Sequence, residues 1–150
     1  MPHTLIVGYG NALRGDDGAG YIAAELLRER LRDPGIEVVS QHQLTPELME
    51  SISQVALVVF IDASISGPSG KVHRIPLRPA PACARFTHHA TPESLLAGAQ
   101  ALYGHTPEAV LYTIPGRSFD TGDELTPSVR QAVDQLVASL ERQFNPTGPP

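Results

Sequence analysis

With a single cysteine, Cys83, the chain has no partner for an internal disulfide and no thiolate cluster for a metal. That excludes a disulfide-stapled secreted domain, so a cytoplasmic protein is expected. Lysine is equally scarce. Lys71 stands alone and the arginines are scattered, leaving no basic stripe to neutralise a run of phosphates, so nucleic acid is not an expected partner. No stretch approaches the roughly 20 apolar residues that span a bilayer, and Met1-Pro2-His3-Thr4 puts no basic segment before the first apolar run. No membrane association is expected, and the chain is expected to be a monomer.

What is present is enough for one folded domain. A chain of 150 residues buries roughly 68–70% of the surface that its unfolded form exposes, without staples. At 41% hydrophobic residues and a net charge of −5 it is not disordered, while Gly 13 and Pro 14 predict many defined turns. The domain is expected over residues 1–144, with a flexible Pro/Gly-rich tail over 145–150.

Leu5-Ile6-Val7 is a β-branched run closed by Gly8-Tyr9-Gly10, which reads as a buried strand feeding a tight loop. Ile22, Leu26, Leu27 and Leu31 then recur at helical spacing between charged residues, up to Pro34-Gly35. Ile36 to Val39 reads as a second strand. Thr45-Pro46-Glu47, Thr91-Pro92-Glu93 and Thr126-Pro127 each precede a helical pattern: Thr can cap an orphan N–H, Pro fits the first helical position and Glu favours the positive end of the dipole. Val55 to Ile61 is a continuous apolar run of strand length, as in a central parallel strand. Val72 to Leu77, with His73 and Arg74, reads as an edge strand, and Ala109 to Ile114 as a further one. Strands alternating with helices predict a three-layer α/β sandwich: a twisted, mostly parallel five-stranded sheet between helices, with one antiparallel edge strand.

The segment richest in chemistry is Gly8-Tyr9-Gly10-Asn11-Ala12-Leu13-Arg14-Gly15-Asp16-Asp17-Gly18-Ala19-Gly20. Its glycines suggest a phosphate loop, but a Gly-x-Gly-x-x-Gly pattern would need glycine where Leu13 stands, and Asp16 and Asp17 would repel a phosphate. Two carboxylates at a strand-to-helix loop suit a cation, or a helix N-terminus that one of them caps. Asp62 follows the apolar strand and so lies at its carboxyl end, the edge where open α/β sheets place ligands. His88-His89 precedes the next Thr-Pro helix start. An imidazole with two carboxylates is a set for a borderline ion such as Ni²⁺ or Zn²⁺. Neither a serine nor a cysteine nucleophile is expected: Ser64 and Ser66 lie near Asp62 without a Gly-x-Ser-x-Gly elbow, and Cys83 has no evident partner.

Val7-Gly8-Tyr9-Gly10-Asn11, Gly15-Asp16-Asp17-Gly18-Ala19-Gly20, Phe60-Ile61-Asp62-Ala63 and Thr87-His88-His89 closely resemble, in order and over nearly the whole chain, the hydrogenase maturation endopeptidases. The resemblance implies a peptidase that trims a C-terminal extension from the precursor of a [NiFe]-hydrogenase large subunit, its protein partner, once the nickel–iron centre is in place. It implies a nickel-recognition site of two acids and one histidine, the nickel being that of the substrate protein; the free enzyme is expected to hold no metal. Carried over by position, the catalytic and nickel-contacting acids are Asp17 and Asp62, and the histidine is His89 or His88. The spacing His89-Ala90-Thr91-Pro92 favours His89; the leucines that follow favour His88. Asp16 and Arg117 are expected to contact substrate, and Asp16 or Asp17 to orient water. Many relatives carry an Asp-Gly-Gly-Thr turn after the second strand; this chain has Ser40-Gln41-His42-Gln43 there, which suggests a subgroup serving a different hydrogenase. The competing readings are a non-catalytic module that inspects the nickel site and a small hydrolase or nucleotide-binding domain.

Overall fold

Leu5, Ile6 and Val7 have no exposed surface, because strand β1 (Thr4–Tyr9) lies inside a five-stranded sheet and is covered on both faces. The computed structural model describes residues 3–67, 71–81 and 90–145. β1 pairs in parallel with β2 (Ile36–Gln41) on one side and with β3 (Leu57–Ser64) on the other. β5 (Glu108–Pro115) continues the parallel sheet beyond β3, and β4 (His73–Leu77) closes it as an antiparallel edge. The order β2-β1-β3-β5-β4 reverses direction between β1 and β3, and such a switch point opens a crevice at the carboxyl ends of the strands.

Period-two alternation feeds two separate cores. Ile6, Val59 and Ile61 pack with helices α1 (Ala19–Arg30) and α4 (Pro127–Phe144) on one face. Leu5, Val7, Val58 and Phe60 pack with α2 (Leu48–Ser53) and α3 (Pro92–Tyr103) on the other. Each of these fully buried side chains contributes about 1.5–3 kcal/mol relative to exposure. Continuing the alternation, Tyr9 and Asp62 lie on the α2/α3 face, where the apolar pattern gives way to polar residues. The three layers, the parallel sheet and the antiparallel edge match the architecture expected from the sequence. Among the described residues no helix is long and apolar enough to cross a membrane.

The three Thr-Pro starts behave differently. Thr91 caps α3 as expected, its hydroxyl accepting from Ser94 N–H while the Ser94 hydroxyl accepts from Thr91 N–H, a reciprocal capping box. Thr126 precedes α4 but does not cap it with its side chain; its hydroxyl donates to Asp16 instead. Thr45 does not cap α2 either. The helix starts only at Leu48, after a turn in which Leu48 N–H donates to Thr45 O and Met49 N–H to Pro46 O, and the Thr45 hydroxyl is engaged by the Glu47 carboxylate. β3 begins at Leu57 and not at Val55, whose N–H still bonds back to Ile52 O at the end of α2. Asn145, assigned from sequence to the tail, is anchored: its side chain accepts from Arg32 N–H at 3.2 Å and donates to Arg30 O at 2.7 Å, closing the C-terminus of α1.

The start of α1 lies tightly over the sheet. A Cβ placed on Gly20 would stand 2.2 Å from Ile61 O and 2.7 Å from Tyr9 O, so the helix approaches the ends of β1 and β3 only because this residue has no side chain. Gly20→Ala is expected to destabilise the fold by about 1–3 kcal/mol or more through overpacking, read as a lower urea midpoint. An unchanged midpoint would mean the approach is not tight.

Candidate functional site

The acidic loop between β1 and α1 forms a short 3-10 turn over Gly15–Gly18. The two adjacent aspartates in it have opposite fates. Asp16 is 0% exposed. Its Oδ2 accepts from Arg117 N–H at 2.7 Å, Ser118 N–H at 3.0 Å and the Thr126 hydroxyl at 2.8 Å, and its Oδ1 from Thr126 N–H at 2.8 Å. Burial alone would raise its pKa, but the donors from Thr126, Arg117 and Ser118 outweigh it and hold the carboxyl below its ordinary 3.8. Main-chain bonds run beside it: Asp16 N–H to Ser118 O, Gly15 N–H to Gly122 O and Gly122 N–H to Leu13 O. Asp16 therefore fastens the β1–α1 loop to the segment between β5 and α4. Enclosed by its own chain, it has no surface for the substrate contact or the water that the sequence assigned to it. That expectation is corrected.

Asp17 is half-buried, and its Oδ2 accepts from Asn11 N–H at 2.9 Å. Asn11 in turn accepts Leu13 N–H on its own side chain at 2.9 Å, an Asx turn that fixes the loop. Gly10, with φ +145°, permits this closure, since a Cβ there would stand 2.1 Å from Asp17 O. Asp62 comes from the end of β3, in register with Thr113 of β5. Burial pushes its pKa up to about 6, the Asp17 charge adds to the rise, and the Tyr9 hydroxyl and Ala63 N–H oppose it by favouring the charged form. Asp17 and Asp62 thus share one rim and feel each other's charge. Tyr9 itself is driven far above its usual range by burial, then by Asp62 and by Glu93 in the first turn of α3.

The remaining expected residues lie as follows. The Arg117 side chain is exposed on the loop after β5, with its main-chain N–H held by Asp16. His42 is exposed just beyond β2. Ser64 and Ser66 bond to each other locally, Ser66 N–H donating to Ser64 Oγ at 3.1 Å. His88, His89 and Cys83 lie outside the described residues. Among the described residues no group of three His, Cys, Asp or Glu side chains comes together to hold a metal; Asp17 acts on Asp62 through its charge, the smallest of the causes that set the Asp62 pKa. Asn11 and Glu93 received no role in this site from the sequence; Tyr9 was expected to pack on the partner protein or to be an ordinary half-buried strand-end tyrosine, and the alternation of β1 puts it on the face of Asp62.

Comparison with solved structures supplies what pattern alone does not. A [NiFe] hydrogenase maturation protease, HycI, from Thermococcus kodakarensis superposes with a TM-score of 0.80 at 22% identity, covering 95% of this chain and 92% of the other. The hydrogenase maturating endopeptidase HybD of E. coli gives 0.78 at 19% identity, covering 99% and 94%. A hydrogenase 2 maturation peptidase from a Thaumarchaeota archaeon gives 0.71 at 25% identity, covering 95% and 98%. The chain has the fold of the hydrogenase maturation peptidases. No family model matches the sequence, and no curated protein matches it. The fold agreement extends over nearly the full length of both partners, as the order of the sequence motifs implied.

Two titrations follow from this rim. Asp16, with a lowered pKa, contributes stability that is present above pH 3.8 and is lost as pH falls through its folded value. Asp62 runs the other way: its contribution is complete below 3.8 and is lost as pH rises through about 6. Asp16→Asn is expected to cost about 2–3 kcal/mol at pH 7 and to flatten the acid limb of a stability–pH curve. In carboxyl NMR, Asp62 is expected to titrate near pH 6 and to move lower in Asp17→Asn; an unmoved titration would show that the two acids do not share a rim.

Proposed function

We propose that the chain is an endopeptidase that removes a C-terminal extension from a [NiFe]-hydrogenase large-subunit precursor after nickel insertion, reading the precursor's nickel through Asp17 and Asp62. The observation that carries this is the placement of two carboxylates, one from the β1–α1 loop and one from the end of β3, at the carboxyl rim of a fold shared over 92–98% of the length of three maturation peptidases. Mutual repulsion and burial make that pair costly in the free protein, and a cation delivered by a partner relieves both. His89 or His88 supplies the third contact, as the family resemblance implies. The described chain resumes at Ala90, packed against the α2/α3 core, one residue before the Thr91 cap of α3.

The nickel belongs to the substrate. Held by the precursor's own ligands, it is met by carboxylates that leave positions open on it, so recognition requires a loaded centre. Hydrolysis of the scissile peptide bond needs a polarised carbonyl and an oriented water. The precursor's metal is suited to the first as a Lewis acid, and Asp17, the loop acid with exposed surface, is suited to the second as general base. Arg117, steadied through its main chain by Asp16, pairs with a carboxylate of the extension.

The test is intact mass spectrometry of hydrogenase large subunits from cells lacking this gene and from cells complemented with variants. Only the wild-type gene is expected to restore trimming; Asp17→Asn and Asp62→Asn should leave the extension in place, and Arg117→Ala should slow its removal several-fold. Normal trimming without the gene would reject the peptidase reading. Binding of the precursor with no change in its mass would favour the non-catalytic inspecting module.

A further inference from the structure

Tyr9 closes β1 at the point where the buried run gives way to the acidic loop, and it is the one half-buried residue of that strand. Gly8 pairs with Ile61 of β3, so one step on Tyr9 and Asp62 stand side by side, on strands about 4.8 Å apart and on the same face of the sheet. The start of α1 packs on the carbonyls of Tyr9 and Ile61 alike, which holds the two strand ends in one fixed relation. The Tyr9 ring packs on the α2/α3 core that contains Val7 and Phe60, and its hydroxyl donates to the Asp62 carboxylate.

Filling the core needs only the ring, so what the hydroxyl adds is its bond to Asp62. That bond is of a particular kind. The other donor to the carboxylate is the N–H of the next residue, Ala63, and among the described residues no Arg, Lys or His forms an ion pair with it. An arginine or a lysine would fix the carboxylate and neutralise it together. A phenol keeps its proton at neutral pH and carries no charge, so it fixes the orientation of the carboxylate and leaves the negative charge for an incoming cation. A ring seated in a close-packed core has few alternative positions, which makes it a firm brace.

We propose that Tyr9 is a positioning residue for the metal-reading acid: its hydroxyl sets the orientation in which the Asp62 carboxylate meets the nickel of the precursor. The inference rests on the peptidase reading above and adds to it a residue that touches neither the metal nor the precursor and acts through Asp62 alone. Hydrogen bonds to a ligating carboxylate turn it towards the metal before contact, and their loss weakens metal affinity or activity roughly 10–100-fold. In this sheet β3 supplies the acid and β1 its brace, so less rotational freedom is left to lose when the two proteins meet.

The experiment is a double-mutant cycle on the binding of nickel-loaded precursor by wild type, Tyr9→Phe, Asp62→Asn and the double variant, followed by stopped flow so that association is read apart from trimming. Tyr9→Phe keeps the ring and removes the hydroxyl. It is expected to weaken binding roughly tenfold where Asp62 is present and by less than about twofold in the Asp62→Asn background, because its effect runs through that carboxylate. Equal affinity of Tyr9→Phe and wild type would overturn the proposal. So would a loss of the same size in both backgrounds, the signature of a tyrosine that packs on the precursor directly or merely supports the fold. If Tyr9→Phe does not fold, a structure of the wild-type complex decides: the Tyr9 hydroxyl should still be bonded to Asp62 with that carboxylate on the nickel, and a hydroxyl turned away from it overturns the proposal. Undiminished binding by Asp62→Asn, or a wild type that does not trim the precursor, would instead defeat the reading on which the role of Tyr9 depends. Weakened binding by Asp62→Asn with Tyr9→Phe unchanged defeats the role of Tyr9 alone.

Discussion

The enclosed Asp16 carboxylate, accepting four hydrogen bonds from Arg117, Ser118 and Thr126, is the constraint on which the rim depends. The loops after β1 and after β5 are joined by main-chain hydrogen bonds and by Asp16. A buried charge with a full set of donors holds them, because removing any donor leaves a desolvated carboxylate unmatched. The consequence is positional. With Asp16 drawn inward, the next residue of the 3-10 turn, Asp17, keeps a partly open carboxylate beside Asp62, and Arg117 is pinned by its main chain while its side chain faces solvent.

The rim is arranged against its own free state. Asp62 sits where burial and the Asp17 charge both disfavour ionisation, Tyr9 lies half-buried beside it, and Gln41 Oε1 is enclosed with no donor among the described residues. Elsewhere α3 has a reciprocal cap and Asn145 is anchored, while Thr106 Oγ1, just before β5, is enclosed with no partner among the described residues. In the proposed function, a cation presented by a partner protein offsets the burial and mutual repulsion of the two acids.

Much of this was legible in the sequence. The apolar run ending in Asp62 and the glycine-spaced acidic loop locate the strands and the rim, because a buried parallel strand and a tight strand-to-helix turn leave strong compositional marks. The roles of the two adjacent aspartates were not legible. Asp16 and Asp17 are chemically identical, and only the fold of the distant 116–126 segment decides which one is buried. Likewise, the Thr-Pro pairs at Thr45, Thr91 and Thr126 read alike, yet the hydroxyls at Thr45 and Thr126 are taken by Glu47 and by Asp16. Local propensity yields where a charged acceptor competes for the same donor. Tyr9 joins the site through sheet register, a long-range property that no local window contains.

The central claim is that this edge reads a metal held by another protein. It is tested most directly by measuring, in one titration series, the affinity of the protein for nickel-loaded and nickel-free forms of the same hydrogenase precursor, with wild type and with Asp62→Asn. The account predicts tight binding by wild type to the loaded form alone, and loss of that preference in Asp62→Asn. Equal affinity of wild type for both forms would contradict it.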